Sequence, residues 1–177
     1  MSDYQLIILT GPSGAGKSSL ANKLLRRDNI NRCVTCTTRM PRENEEEGID
    51  YFFLTGVEFS ESMENNKFVE YSFHYGNWYG VRLSDIENSL RESHTLITLN
   101  WRGASALERK IQNSHVIYIE PPSVEILEKR LQDRGCYDRI NYACEDMAQA
   151  KLFSHRVIND DLDEAYSSLL AIAENIV

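Results

Sequence analysis

The chain has 177 residues, a formal net charge of −8 and 42% hydrophobic residues. This length suits one domain with a sizeable core, and the acidic balance argues against broad binding to nucleic acid, which needs clustered cations. No apolar run reaches the roughly 20 residues of a membrane-spanning helix. The start, Met1-Ser2-Asp3-Tyr4, lacks the basic and then apolar order of a signal peptide. We therefore expect a cytoplasmic protein that has no membrane association.

Apolar runs, helical spacing and turn residues predict alternating strands and helices along the chain. The predicted strands cover residues 4–10, 32–36, 51–54, 68–73, 78–81, 95–99, 116–119 and 157–158. The predicted helices cover residues 19–27, 57–65, a segment from a cap at Ser84 to residue 91, 104–112, a segment that opens at 121–123, and a C-terminal segment capped by Asp160 or Asp161. Residues 37–50 are predicted as a polar loop, and Tyr75-Gly76-Asn77 as a turn. Strand–helix units at both ends predict an α/β fold with a parallel sheet and right-handed crossovers.

Two of the four cysteines, Cys33 and Cys36, have the C-x-x-C spacing of a metal or redox site. Cys136 and Cys144 do not form a second pair of this kind, and a structural zinc site needs four ligands. In a cytosolic chain the thiols stay reduced. We therefore interpret Cys33 and Cys36 as ordinary small residues on a strand.

Residues 11–18 read Gly-Pro-Ser-Gly-Ala-Gly-Lys-Ser and match G-x-x-x-x-G-K-[ST], the phosphate-binding P-loop. A predicted strand precedes the loop and a predicted helix follows it, the context in which main-chain N–H groups surround a phosphate. Lys17 would reach the β- and γ-phosphates of a nucleotide, and the Ser18 hydroxyl would contact Mg²⁺. A chance glycine-rich turn is the alternative, and the matching flanks favour phosphate binding. The predicted loop residues are Gly11, Pro12, Ser13, Gly14, Ala15, Gly16, Lys17, Ser18 and Ser19.

Four further blocks follow in order, and together with the P-loop they resemble the guanylate kinase family. The first joins Thr-Thr-Arg-Met-Pro-Arg at 37–42 to Gly-Ile-Asp-Tyr-Phe-Phe at 48–53. The second joins Phe-Val-Glu at 68–70 to Gly-Asn-Trp-Tyr-Gly at 76–80. The others are a lid-like segment at 129–135 and Val-Ile-Asn-Asp-Asp-Leu at 157–162. The resemblance covers nearly the whole chain and implies a three-layer P-loop fold of the nucleoside monophosphate kinase class.

The resemblance also implies a reaction and a division of the chain. The γ-phosphate of ATP, bound by the P-loop with Mg²⁺, would pass to GMP and yield ADP and GDP. ATP and GMP would be the partners, and the oligomeric state stays open. Residues 1–177 would form one domain with a core at about 1–31 and 82–177, a strand-rich GMP-binding insertion at about 32–81, and a short lid at about 134–150.

Roles for particular side chains follow from the resemblance as well. The implied GMP-binding residues are Thr35, Arg39, Arg42, Tyr51, Glu70 and Tyr79, and the implied catalytic residues are Lys17, Arg39, Arg130 and Arg134. Guanidinium groups match phosphate oxygens in pairs, and Glu70 would accept hydrogen bonds from guanine N1–H and N2–H₂, which adenine cannot offer. Without the resemblance, Arg39 and Arg42 would be interpreted as solvated partners of nearby acids, and Glu70 as an ordinary strand residue.

Several positions depart from the family pattern. Thr98 and Asn100 stand where the family has two acids that help hold Mg²⁺ and GMP. Val81 replaces a hydroxyl residue and cannot hydrogen-bond to a base, and Trp78 replaces a tyrosine conservatively. The lid is several residues short, and Asp146 stands where a lid arginine is expected.

These departures leave alternatives open. The P-loop is complete, which favours a nucleotide-using enzyme; Arg139 is a cation that would substitute for the missing arginine from another position, and Arg102 is a new cation near the site. The lost acids favour a catalytically weak nucleotide- or protein-binding module. A P-loop kinase with another small acceptor is the third alternative, and Arg39 and Glu70 argue against it.

Overall fold

The computed structural model describes residues 4–74 and 76–177; Met1, Ser2, Asp3 and Tyr75, the first residue of the predicted turn, lie outside the described residues. The strands are β1 (Leu6–Thr10), β2 (Ile30–Arg32), β3 (Thr35–Thr37), β4 (Tyr51–Phe53), β5 (Phe68–His74), β6 (Asn77–Arg82), β7 (His94–Thr98), β8 (Ser114–Glu120) and β9 (His155–Ile158). The helices are α1 (Lys17–Leu24), α2 (Gly56–Glu64), α3 (Leu83–Ser89), α4 (Trp101–Lys110), α5 (Val124–Gln132), α6 (Ile140–Met147) and α7 (Leu162–Glu174), with short 3₁₀ turns at Tyr137–Arg139 and Ala150–Leu152.

The central sheet has the strand order β2-β7-β1-β8-β9, and all its neighbouring strands are parallel. Helices α1 and α7 pack on one face, and α3 and α4 pack on the other. The loop after β1 therefore opens at the carboxyl edge of the sheet, where parallel α/β sheets bind ligands. This architecture confirms the predicted three-layer α/β fold.

Strand β1 shows why this sequence forms a central strand, because all five of its residues are buried. Ile7 and Leu9 belong to the core cluster under α1 and α7, whereas Leu6 and Ile8 belong to the cluster under α3 and α4. Successive side chains of a strand point to opposite faces. An unbroken apolar run therefore fits a parallel strand that is covered on both sides.

A second sheet, with the order β4-β3-β6-β5, stands beside the core. Strand β6 pairs antiparallel with both β3 and β5, and β3 pairs parallel with β4. The single strand predicted at 32–36 is wrong, since β2 belongs to the central sheet and β3 to the second one. Cys33 and Val34 separate them, and the Cys33 N–H still donates to the Leu96 carbonyl at 2.9 Å. The backbone changes sheets within two residues, which an apolar pattern does not reveal.

Two helices begin elsewhere than predicted. Helix α3 begins at Leu83, directly after Arg82, so Ser84 lies inside the helix and is not its cap. Helix α4 begins at Trp101 rather than 104, because the Asn100 side chain accepts from the Gly103 N–H at 2.9 Å and caps the first turn. The structure also contains α6, within the predicted lid, which the sequence pattern did not indicate.

The predicted cap of the C-terminal helix is confirmed at one of the two proposed residues. The Asp161 carboxylate accepts hydrogen bonds from the N–H groups of Asp163 and Glu164 at 2.8 and 3.0 Å. These bonds lower the pKa of Asp161, because they stabilise its charged form. Helix α7 thus starts directly after the segment that follows β9.

Candidate active site

One cavity of about 430 Å³ lies between the carboxyl edge of the central sheet, the second sheet and the segment around α6. Its wall combines the P-loop, the second sheet and the residues that follow β7. The described residues that line it are Gly11, Ser13, Gly14, Gly16, Lys17, Ser18, Ser19, Thr35, Arg39, Arg42, Tyr51, Glu70, Ser72, His74, Tyr79, Gly80, Thr98, Leu99, Asn100, Leu131, Arg134, Cys136, Arg139 and Asp146. Positively charged side chains predominate over carboxylates in this wall, which suits a polyanionic ligand.

The P-loop needs glycine at two positions for reasons visible in the structure. Gly11 has a φ of +136°, and a Cβ there would lie 2.1 Å from the Ile119 carbonyl oxygen. Gly16 has a φ of +94°, and a Cβ there would lie 2.0 Å from Nδ2 of Asn159. Both conformations are unfavourable for other residues. The loop is therefore fixed by its backbone and by its close contact with β8 and the residue after β9.

Lys17, the first residue of α1, folds back over the loop that precedes it. Its Nζ donates to the carbonyl oxygens of Gly11 and Pro12 at 2.7 and 2.8 Å. Burial lowers the pKa of Lys17 to about 8, and the charge of Asp146 opposes that shift. The Lys17 side chain thus lies at the cavity wall.

Behind the loop, Asn159 connects the P-loop to the base of the lid-like segment. Its Nδ2 donates to the Ala15 carbonyl at 2.7 Å, and the residue is almost fully buried. The Arg130 guanidinium donates to the backbone carbonyls of Asn159 and Asp160 at 3.0 and 3.4 Å. Arg130 therefore lies behind the cavity wall, and in this arrangement it supports the loop.

At the opposite end of the cavity, Arg39 is held in place by several groups. Its guanidinium donates to Glu45 at 2.9 Å and to the Met40 carbonyl at 2.7 Å. It also lies over the ring of Tyr51 at 5.4 Å, within the range of a cation–π contact. Arg42 ion-pairs more loosely with Glu45 at 3.8 Å, and its side chain is 57% exposed. One arginine is therefore fixed and the other is free to adjust to a ligand.

Glu70, on β5, is a carboxyl group with 8% exposure. It packs against Gly103 in the first turn of α4, where a Cβ would lie 2.8 Å from one carboxylate oxygen. Burial raises the pKa of Glu70 to about 7, and the nearby Lys110 charge reduces that shift. A buried carboxyl with a raised pKa gains from donors supplied by a ligand.

Next to Glu70, the Ser72 side chain also lines the cavity and contacts the residue that caps α4. The Asn100 Nδ2 donates to Ser72 Oγ at 2.7 Å, while its Oδ1 accepts from Gly103. Asn100 thus uses both halves of its amide on protein groups. Sequence reasoning noted Asn100 as a lost acid but missed Ser72, for which only the every-second-residue spacing from Glu70 gave a signal.

The segment around α6 contributes charged groups to the same cavity. Arg134, Arg139 and Asp146 line it, and the positive charges of both arginines lower the pKa of Lys17. The Asp146 carboxylate lies 3.6 Å from Nε2 of His74, which connects α6 to β5 across the opening. Sequence reasoning identified these three residues but missed His74 and Cys136.

The remaining site predictions are distributed as follows. Pro12 and Ala15 belong to the loop backbone rather than to the cavity wall. Arg102 stacks over Trp101 at 4.3 Å and is not among the lining residues.

Cys33 and Cys36 are buried, and burial raises their thiol pKa values to about 12 and about 11. Such thiols stay protonated near neutral pH, which disfavours metal binding and redox chemistry.

A loop shaped for nucleotide phosphates therefore faces a second group of cations across one cavity. A donor and an acceptor phosphate would meet there, which is the arrangement of a P-loop nucleotide kinase.

Comparisons with known proteins specify this class further. A guanylate kinase family model matches residues 3–175. The guanylate kinase of Rickettsia felis is 39% identical over 172 residues, which cover 93% of this chain and 90% of its own. That of Fusobacterium nucleatum is 32% identical over 182 residues, with 99% and 98% coverage. The crystal structure of guanylate kinase from Anaplasma phagocytophilum matches with a TM-score of 0.84 at 30% identity, over 98% of this chain and 86% of that one. The chain belongs to the guanylate kinase family and is an enzyme of that kind, which confirms the resemblance found in its motifs.

In the part of the chain that the structure describes, no helix combines the length and apolar character needed to cross a membrane.

Proposed function

We propose that this chain transfers the γ-phosphate of ATP to GMP within the 430 Å³ cavity. The observation that carries the proposal is that one cavity wall contains most of the P-loop, including Lys17 and Ser18, and also Arg39, Tyr51 and Glu70. An oxygen of the GMP phosphate attacks the γ-phosphorus, and the bond from that phosphorus to the β–γ bridging oxygen breaks. ADP and GDP are the products.

At the donor end, the main-chain N–H groups of the P-loop and the start of α1 would hold the ATP phosphates. Lys17 would exchange the carbonyls of Gly11 and Pro12 for β- and γ-phosphate oxygens, and its place in the cavity wall supports this role. Burial strengthens this interaction, because opposite charges attract more strongly in a poorly solvated site.

Mg²⁺ fits this end of the cavity as an ion carried by the nucleotide. Mg²⁺ keeps several waters and binds phosphates with few protein ligands, so the Ser18 hydroxyl is the residue that would hold it. Asn100 is not a suitable ligand, since its amide is engaged with Gly103 and Ser72. When bound, the ion neutralises charge on the β- and γ-phosphates.

At the acceptor end, Arg39 and Arg42 would bind the GMP phosphate, with the hydroxyls of Tyr51 and Tyr79 beside them. The support is positional: all four line the cavity, and Arg39 is already oriented by Glu45. Glu70 would accept from N1–H and N2–H₂ of guanine, with the Thr35 hydroxyl near the base. These donors would keep Glu70 ionised despite its burial.

We assign residues 32–81 as the GMP-binding insertion and 134–150 as the lid. The positive charges of Arg134 and Arg139, both in the lid segment, lower the pKa of Lys17. Their effect on Lys17 supports a role in neutralising the transferring phosphoryl group. Arg130 would have to release Asn159 and Asp160 before it could take part. The cytoplasmic location stays a prediction.

A coupled assay of ADP release tests the function directly. ATP and Mg²⁺ are supplied with GMP, dGMP, AMP, CMP or UMP in turn. Fast turnover with the guanine nucleotides and little with the others is the expected result. If no acceptor is phosphorylated although calorimetry detects ATP or GMP binding, the chain is a weak binding module. Preference for another acceptor overturns the assignment of GMP.

A further inference from the structure

Strand β5 presents three polar side chains to the cavity at every second residue. Glu70, Ser72 and His74 all line the cavity, whereas Tyr71 and Phe73 on the other side of the strand are exposed. This alternation is the ordinary geometry of a strand. The hydroxyl of Ser72 therefore lies one step along the strand from the carboxyl group that we assign to the guanine base.

The hydrogen bonds of Asn100 orient the Ser72 hydroxyl. Oδ1 of Asn100 accepts from the Gly103 N–H at 2.9 Å, so the other end of the amide must be the NH₂ group. That group donates to Ser72 Oγ at 2.7 Å. One of the two lone pairs of the Ser72 oxygen is thus used, and its proton remains to be donated. Among residues 4–74 and 76–177, no hydrogen bond donated by the Ser72 side chain is found.

We propose that Ser72, oriented by Asn100, donates a hydrogen bond to O6 of guanine and is a specificity-determining residue. This inference rests on the proposed function. The Watson–Crick edge of guanine carries O6, N1–H and N2–H₂ in a row, so a base whose N1–H and N2–H₂ face Glu70 presents O6 to the adjacent position. Adenine has an amino group there, which cannot accept the Ser72 proton.

Val81, on the neighbouring strand β6, cannot supply the hydrogen bond to the base that we assign to Ser72. Val81 lies opposite Glu70 in the β5–β6 register and is fully buried in the core cluster under α3 and α4. It offers no polar group to a base. The Asn100–Ser72 pair thus supplies from β5 the hydroxyl donor that β6 lacks at this position.

The substitution Ser72→Ala tests the proposal with two ligands. For GMP we expect the dissociation constant from calorimetry, and KM, to rise roughly three- to tenfold, the usual effect of one neutral hydrogen bond. For 6-thio-GMP, in which a weakly accepting sulfur replaces O6, the same substitution should change affinity less than about twofold. Tyr71→Phe is the matched control, because it removes a hydroxyl from the opposite side of the same strand.

The substitution Asn100→Ser tests the positioning role. Serine remains a good N-cap for α4 but is too short to reach Ser72, so the Ser72 hydroxyl would lose the partner that orients it. We expect GMP affinity to fall about as much as in Ser72→Ala, and the double variant to lose no more than either single one. Fully additive losses would overturn the role of Asn100.

Two further outcomes have clear meanings. Equal losses for GMP and 6-thio-GMP, or no loss for GMP, would overturn the contact between Ser72 and O6 while leaving the kinase assignment intact. An unaltered chain that neither binds nor phosphorylates GMP would overturn the proposed function itself, and this inference with it.

Discussion

The two ends of the cavity are built by different means. At the P-loop end, backbone carbonyls hold Lys17, and Gly16 lies against Asn159 with no room for a Cβ. At the acceptor end, side chains hold other side chains, as Glu45 holds Arg39. A site formed by the backbone tolerates few substitutions, because any residue change that moves the main chain also changes the shape of the site. A side-chain-built site can change its selectivity through single residues.

The largest expected effect is at the P-loop end. In Lys17→Ala we expect kcat to fall roughly a thousandfold, because a buried charge next to the transferring phosphate is lost. The fold should remain, which circular dichroism and a urea melt would check. Lys129→Ala, at an exposed position, is the control. Undiminished phosphoryl transfer in Lys17→Ala would contradict the P-loop assignment.

The steric argument about the loop is tested by Gly16→Ala. The added Cβ would lie 2.0 Å from Asn159 Nδ2 at a φ of +94°, so we expect the free energy of unfolding to fall. The expected loss is about 2–4 kcal/mol, measured by urea denaturation. Gly56→Ala is the control, since no atom lies within 4 Å of its added Cβ, and there we expect little change. Equal behaviour of the two variants would show that the contact with Asn159 is unimportant.

At the acceptor end, Glu70→Gln keeps the size of the side chain but removes one acceptor and all of the charge. We expect kcat/KM for GMP to fall by about 1–3 kcal/mol in transition-state free energy, with KM for ATP unchanged. Steady-state kinetics with both substrates varied would measure this. A matching loss for AMP would show that Glu70 does not recognise guanine.

The raised pKa of Glu70 predicts a pH dependence with a definite sign. Its pKa is about 7, so the carboxyl is mostly neutral at pH 6 and mostly ionised at pH 8. Only the ionised form accepts from both guanine donors, so GMP should bind more tightly as pH rises, by roughly tenfold over this range. Calorimetry at a series of pH values measures it. In Glu70→Gln this component should disappear, and an identical profile in both proteins would refute the assignment.

The smallest expected effect concerns the ion pair that orients Arg39. Glu45→Gln weakens the ion pair with Arg39, and we expect KM for GMP to rise roughly threefold with kcat nearly unchanged. Glu43→Gln, at an exposed position in the same loop, should change neither constant. A large fall in kcat in Glu45→Gln would show that Glu45 contributes to the chemical step rather than to orientation.

The parts of the molecule that the sequence predicted depend on local rules. Glycine spacing identified the P-loop, and the apolar run of β1 identified a covered parallel strand, because both follow from the backbone geometry of a few consecutive residues. The ordered motifs of the second sheet identified Arg39 and Glu70 as candidates. Their roles in binding remain predictions.

What the sequence could not predict depends on contacts between distant segments. The change from β2 to β3 within two residues leaves no mark on an apolar pattern. Asn100 resembled a lost acid, yet it caps α4 and bonds to Ser72, 28 residues away. Arg130 matched a lid motif, but its guanidinium is engaged by the carbonyls of Asn159 and Asp160. Such pairings are set by tertiary packing.

The short connections of the second sheet also restrict how it can move. The chain enters it from β2 through Cys33 and Val34 alone, and leaves it from β6 directly into α3. The entry is fixed by the bond from Cys33 to Leu96, and the exit by burial of Val81 and Ile86. A third attachment lies on β5, where Ser72 accepts from Asn100 Nδ2 at 2.7 Å and Glu70 packs against Gly103 of α4. Because the second sheet is held on three sides, it cannot swing freely as a rigid body, and any closing motion would have to break one of these contacts.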